Sequence, residues 1–305
     1  MINAAKHPIS FSMNLHLAVW LLLCLIWGST WIFIKLGLDD WPPFTFAAMR
    51  FLLGAAILWL IVLFRGDSLP RARRDWLLIA GLGVATFSVN YGLVFWGENR
   101  ISSGLTAVLQ AVIPAFGLLL AHYLLPNERI TAAKLAGVAL GVAGVGVIFA
   151  DQMNIAGPSA LWGCAAIIVS AFVVAYSNIL VKLHSSHLQV APLVAGQMTF
   201  GFIPLLIVGW IVEGSPFQLH WTPQAAGSLV YLAVICSVIA FLLYYWLVKK
   251  IDVTKTMLIS LVTPVVALLI GWLVRGEALS WRLALGSAAI LSGIGMIVLK
   301  RAKTA

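Results

Sequence analysis

The sequence predicts an all-α integral membrane protein of ten transmembrane helices, built as two inverted five-helix repeats with both termini in the cytoplasm. Three observations carry that prediction. Hydrophobic residues make up 62% of the chain and charged residues 10%, at a mean hydropathy of +1.03, whereas a soluble domain is roughly one-quarter charged. Ten apolar runs approach the ~20 residues that span a bilayer core. Five precede the loop Asp151 to Gly157 and five follow it. The second half also repeats the first at an offset of about 150 residues. Trp96, Ile101, Thr106, Val112 and Pro114 recur as Trp246, Ile251, Thr256, Val262 and Pro264; after one residue is lost, Glu128, Gly137, Gly144 and Gly146 recur as Glu277, Gly286, Gly293 and Gly295. The repeats are expected to cover 1–150 and 151–305. An odd number of crossings per repeat inverts one copy relative to the other.

The first run extends from His16 to Leu38; it is too long for a signal peptide and has no convincing small-residue cleavage site. Trp27, Trp31 and Lys35 share one of its faces at four-residue spacing, and Lys35 lies near enough to the end to snorkel. Such an aromatic stripe reads as packing or an interfacial belt, or as a binding surface. The second run, Pro43 to Phe64, carries Arg50 seven residues in, about 10 Å deep at 1.5 Å per residue. A guanidinium at that depth must pair or meet water. A structural ion pair is the expectation, with direct ligand contact as the alternative. The third run, Trp76 to Trp96, leads into Glu98, the one carboxylate near its end. Glu98 reads as a proton site, a partner for Arg50 or Arg100, or a solvated loop acid. No other run holds an acid in its interior.

The fourth run, Ser103 to Leu125, places Thr106, Gln110 and Pro114 on one face, and the ninth, Thr254 to Val274, repeats them as Thr256, Ser260 and Pro264. A proline inside a helix deprives the carbonyl four residues earlier of its donor, here Gln110 and Ser260. In hydrocarbon those carbonyls need other partners, so paired kinks at Pro114 and Pro264 are expected to face a central cavity, or else to be plain packing kinks. The fifth and tenth runs, Thr131 to Phe149 and Trp281 to Leu299, crowd glycines at 137, 141, 144, 146, 286, 293 and 295 with almost no polar groups, which predicts close helix packing, with a partner in the same chain favoured over one in a second subunit.

The sixth run, Pro158 to Lys182, carries Ser170 and Ser177; the seventh is Val190 to Val212; the eighth, Pro223 to Leu247, ends in Tyr244, Tyr245 and Trp246. With Asn90 on the third run, these are uncharged hydrogen-bonding groups able to hold a small polar or zwitterionic molecule, or to bond neighbouring helices.

Fourteen of the nineteen Lys and Arg residues fall on loops and span ends that are cytoplasmic if the N-terminus is inside; the other five are Lys35, Arg50, Arg100, Arg275 and Arg282. The net charge of +9 is therefore a topology signal, and scattered over five loops and a tail it argues against nucleic-acid binding. Cys24, Cys164 and Cys236 all lie inside spans and read as packing residues. His122, His184, His187 and His220 show no metal-ligand spacing, so neither metal nor cofactor is expected. The absence of a His-Glu-x-x-His or nucleophile-elbow pattern argues against a membrane enzyme. Rings of charge or carbonyl repeats for a channel filter are missing, as is any nucleotide-binding motif.

Trp27-Gly28-Ser29, Lys35, Pro43 and Arg50, then Ser103-Gly104-Leu105 through Pro114, Glu128 and the glycine-rich run to Gly146, resemble an EamA-type repeat of the drug/metabolite transporter superfamily. From Pro158 to Leu299 the chain resembles a second, more divergent copy that keeps Lys182 at the Lys35 position and Pro264, Glu277 and Gly286 at theirs, without an equivalent of Trp27-Gly28 or Arg50. The resemblance implies ten helices, alternating access, and a cavity lined by the first, third, fourth, sixth, eighth and ninth spans. The family offers no universal catalytic residue to carry over. The expected function is a secondary transporter exporting small polar metabolites, such as amino acids or their derivatives, across a bacterial inner membrane. The alternative is a multidrug or lipophilic-cation exporter, proton-coupled through Glu98. From the stripes above, the expected substrate contacts are Trp27, Trp31, Asn90, Thr106, Gln110, Ser170, Ser177, Tyr244, Thr256 and Ser260. The partners expected are that small molecule and the lipid bilayer, for a monomer or homodimer.

Overall fold

The computed structural model describes residues 9–101, 103–126, 128–148, 157–215, 219–275 and 281–299. All regular structure among them is helical. The first half forms α1 (Ile9–Leu38), α2 (Pro43–Arg65), α3 (Arg73–Gly83), α4 (Tyr91–Glu98), α5 (Ser103–Gln110), α6 (Ile113–Leu124) and α7 (Ala132–Ile148). The second forms α8 (Gly157–His184), α9 (Val190–Glu213), α10 (Pro223–Ala233), α11 (Ala240–Lys250), α12 (Val253–Met257), α13 (Ile259–Arg275) and α14 (Trp281–Leu299). Stretches of π-helix, Val84–Asn90 and Val234–Ile239, join α3 to α4 and α10 to α11. Among the described residues, six spans are long and apolar enough to cross a bilayer: α1, α2, α3–α4, α8, α9 and α10–α11; four shorter apolar helices accompany them. Leu63, Phe64, Tyr123, Trp162, Ile211 and Trp281 lie exposed on the outside of the bundle, a surface suited to lipid.

Local signals set the helix ends. Pro43 opens α2 where its missing N–H costs nothing, and Gly66 closes it at φ +63°. Thr222 caps α10 by accepting from Ala225 N–H at 3.0 Å. Glu213 reaches from the end of α9 to the start of α2, accepting from Phe44 N–H (2.7 Å), Thr45 N–H (2.8 Å) and Thr45 Oγ1 (2.7 Å).

The halves interleave: α2 packs on α9, α7 on α14, α1 on α10, α11 and α13, and α8 on α4, α5 and α6. Two equivalent pairs, α2 with α9 and α7 with α14, run antiparallel. A Cβ on Gly137 would meet the Gly293 carbonyl oxygen at 2.5 Å, and one on Gly144 would meet the Gly286 carbonyl oxygen at 2.7 Å. The glycines of the fifth and tenth spans thus bring α7 and α14 into backbone contact within one chain.

The helix breaks differ from the proline kinks expected. The first lies at Ala111–Val112, and Pro114 sits in the opening turn of α6, where a proline fits. The second lies at Leu258, while Pro264 remains inside α13. The Ser260 carbonyl freed by Pro264 accepts from Thr263 Oγ1 at 3.2 Å.

Candidate functional site

Where the two broken spans face each other, a cavity of about 770 Å³, counting the space at its mouth, lies between the halves. Gln110 and Ile113 flank one break and Met257 and Ile259 the other, and all four line it. Trp27, Thr30, Trp31 and Ile34 come from α1; Asn90 from the first π-helical stretch and Tyr91 and Val94 from α4; Val174 and Asn178 from α8; Phe241 and Tyr244 from α11; Thr256 from α12 and Ser260 and Thr263 from α13. Among the described residues, none from α2, α7, α9 or α14 lines it. The walls follow the repeat: Gln110 matches Ser260, Tyr91 matches Phe241, Val94 matches Tyr244, and Trp31 matches Asn178 by repeat position, and all eight line the cavity.

Seven of the ten expected contacts line this space: Trp27, Trp31, Asn90, Gln110, Tyr244, Thr256 and Ser260. Three do not. Thr106 is fully buried outside it, Ser177 is buried with its hydroxyl unpartnered, and Ser170 lies behind the wall. Ser170 Oγ accepts from Gln110 Nε2 at 2.7 Å and donates to the Ile167 carbonyl at 2.7 Å. The stripe reading missed Thr30, Tyr91, Asn178, Phe241 and Thr263. Asn178 was open to discovery, since carrying Trp31 across by the Lys35-to-Lys182 offset lands on it.

No described lining residue is charged. Several hydroxyls present acceptors. Thr30 Oγ1 donates to Ile26 O (3.2 Å), Thr256 Oγ1 to Val253 O (2.7 Å), and Ser260 Oγ to Met257 O (2.9 Å), and what these three leave free is oxygen lone pairs. Asn90 Nδ2 gives one of its two hydrogens to Thr86 O at 3.1 Å, and Gln110 Nε2 one of its two to Ser170 Oγ. The Trp31 indole N–H is a buried donor with no partner. On the same lining, the rings of Phe241 and Tyr244 gather about Trp27, with centroids 4.9 Å apart for Trp27–Tyr244 and 5.7 Å for Trp27–Phe241. Such a cavity suits a solute with hydrogen-bond donors and an apolar body.

Arg50 stands behind the aromatic wall and is fully buried. It donates from Nε to Ser237 Oγ (2.8 Å) and from Nη2 to Cys236 O (3.3 Å), both in the second π-helical stretch. Its guanidinium lies 4.9 Å from the Tyr91 ring centroid and 5.1 Å from that of Phe51, contacts worth about 2 kcal/mol when desolvated. Nη1 has no partner. The ion pair expected between Arg50 and Glu98 is not formed: neutral partners joining the two repeats hold Arg50 instead. Glu98 is not a solvated loop acid either; it is fully buried and neither carboxyl oxygen accepts a hydrogen bond. Arg100 turns back onto α4, donating to Trp96 O at 2.8 Å with its guanidinium 3.6 Å from the Trp96 ring centroid.

Two lysines make the same contact in the two halves. Lys35 Nζ donates to the carbonyls of Glu98 (3.1 Å) and Ile101 (3.5 Å). Lys182 Nζ donates to those of Val248 (2.5 Å) and Ile251 (2.8 Å), the same two positions one repeat later. Each cation fastens the first helix of its half to the turn that follows α4 or α11 in the same half, at the negative end of a helix dipole. Lys35 therefore does not snorkel.

The EamA-like transporter family model matches residues 15–150 and 161–299. The chain is 30% identical to the Uncharacterized transporter YoaV of Bacillus subtilis (strain 168) over 278 residues, 89% of this chain and 92% of that protein. It is 31% identical to the Uncharacterized inner membrane transporter YedA of Escherichia coli (strain K12) over 274 residues, 87% and 85% of the two chains. A protein named Probable amino-acid metabolite efflux pump, from the same E. coli strain, is 27% identical over 90% of this chain and 91% of its own. A solved structure described as "Crystal structure of protein" shares the fold, with a TM-score of 0.80 at 20% identity over 96% of this chain and 99% of that one.

Proposed function

The chain belongs to the EamA-like transporter family, and from that premise we propose that it is a secondary transporter exporting a small amine-bearing metabolite, such as an amino acid or its derivative, across a bacterial inner membrane. The observation that carries this reading is the cavity itself: uncharged, walled by matched elements of both halves, and rich in acceptors and aromatic faces. An amine supplies the donors those oxygens lack, and the rings take the apolar remainder. The name of the E. coli efflux pump is consistent with such a cargo.

In this reading ten spans cross the bilayer as two inverted repeats with both termini cytoplasmic, as the lysine and arginine distribution favours. The Lys35 end then faces the periplasm and the Lys182 end the cytoplasm. The cargo sits between the helix breaks, and the halves rock about it. A lipophilic-cation exporter is the second reading, favoured by Trp27, Trp31, Tyr91, Tyr244 and Phe241 around the cavity.

The test is metabolite profiling of the medium of cells overexpressing the wild type or a Gln110→Ala/Ser260→Ala variant, with lipophilic-cation resistance scored in parallel. Amine-bearing metabolites should accumulate outside with the wild type and fall back with the variant at equal membrane abundance. Cation resistance without metabolite release selects the second reading. Equal release by wild type and variant sinks the site.

A further inference from the structure

We propose that Glu98 is a proton-binding site, and that loss of its proton releases the Lys35 contact and opens the Lys35 end of the cavity. This rests on the transport reading only for what the opening serves. Three observations converge. Glu98 is fully buried with both carboxyl oxygens unpartnered. An ionised carboxylate in that state has lost its water and gained no donor, a cost of several kcal/mol, so the conformation seen holds the neutral acid. The proton occupies a place that only another positive charge could take.

The second observation is what surrounds it. Lys35 comes from α1, its ammonium held by the backbone carbonyl of Glu98 itself at 3.1 Å. Arg50 comes from α2, with Nη1 free of any partner. From α8, packed on α4 through Gly97 and Ile167, the nearest titratable side chain in sequence is the thiol of Cys164. Described residues of α5 bring no charged group. Arg100, beyond α4, is occupied by Trp96. When Glu98 ionises, two cations lie ready, and Lys35 is the one whose present contacts are two neutral carbonyls. Drawn to the carboxylate, Lys35 leaves the Ile101 carbonyl and unfastens α1 from the turn after α4.

The third observation is the repeat. Position 248, which matches Glu98, is Val, and Lys182 makes the same two-carbonyl contact there without a carboxyl on that residue. Two acids stand beside that turn: Glu128, committed to Val253 N–H and Thr254 Oγ1, and Asp252, one residue beyond Ile251, whose charge acts on Lys182. Only the first latch carries a carboxyl on the very residue whose carbonyl the lysine grips. Tyr91, Val94 and Glu98 lie on one face of α4, so the carboxyl continues the stripe that lines the cavity. Under the orientation above, the proton exchanges with the periplasm.

Infrared difference spectra of the purified protein in nanodiscs, titrated from acid to alkaline pH, read the proton directly and need no cargo. A protonated-carboxyl band should bleach as pH rises in the wild type and be missing at every pH in Glu98→Gln and in Glu98→Val, the residue its counterpart position carries. Opening is read separately with Ile34→Cys, a cavity-lining position, after Cys24, Cys164 and Cys236 are replaced by Ala. Its maleimide labelling, normalised to exposed Asn99→Cys, should rise severalfold with pH and stay flat when Glu98→Val is added. A carboxyl band unchanged by Glu98→Gln, or a pH response of labelling that survives Glu98→Val, overturns the proposal. If both readouts follow Glu98 while no cargo is exported, the transport reading fails and the proton site stands.

Discussion

Gln110 Nε2 donates to Ser170 Oγ across 2.7 Å, joining the end of α5 in the first half to α8, the first helix of the second. The bond fixes which end of the Gln110 amide faces the cavity. It also accounts for Ser170 lying behind the wall rather than on it.

Ser170→Ala should therefore act through Gln110. The amide loses its acceptor and becomes free to rotate, at a cost of about 1 kcal/mol. The half-saturation concentration for the transported solute should rise about fivefold with turnover little changed. Concentration-dependent flux in vesicles checks this, and Ser170→Thr should restore most of the affinity.

Contact between α7 and α14 should be intolerant of a single methyl group. Gly137→Ala places a Cβ 2.5 Å from the Gly293 carbonyl oxygen and 2.7 Å from Ile297 Cγ1, an overpacking worth about 1–3 kcal/mol. Gly146→Ala meets nothing within 4 Å and should leave stability unchanged or slightly raised, since alanine favours the helix. Thermal unfolding in detergent should show a lower midpoint for the first variant alone.

Glu213 holds the first turn of α2 by three hydrogen bonds, two from backbone N–H groups that no helical carbonyl can reach. Glu213→Ala should cost about 3 kcal/mol, since charge-assisted bonds are lost and their donors are left partly buried. Thr45→Ala removes one of the three and should cost about 1 kcal/mol. Chemical denaturation of the two variants should rank them in that order.

Much of the fold was legible because bilayer physics writes itself into composition. Apolar runs, loop lysines and the repeated Trp96/Trp246 and Pro114/Pro264 pairs are properties of the chain read in one dimension. The glycines at 137, 144, 286 and 293 likewise announced a close helix contact, though not which helices met. Neither π-helical stretch could be read. Val84–Asn90 and Val234–Ile239 carry no distinctive residue pattern, and their kinship shows only when both are seen to start one repeat apart.

Within the site, helical stripes identified the walls but not their extent. Thr106 and Gln110 are one turn apart, yet only Gln110 reaches the cavity, because four residues turn a helix about 40° past a full circle and the helix breaks directly after it. Glu98 looked like a boundary acid because sequence measures distance from a span's end. Burial depends on what α1, α2 and α8 lay over that end.

The sequence by itself determined the membrane class, the family and the long apolar helices, since each follows from which residues stand in what order. Tertiary structure decided which groups meet: Arg50 with the second π-helical stretch rather than with Glu98, Lys35 and Lys182 with matching carbonyls, and Glu98 with no donor at all. Those outcomes turn on angles and angström distances between helices far apart in the chain, and hydrogen bonds and charges are decided at that scale.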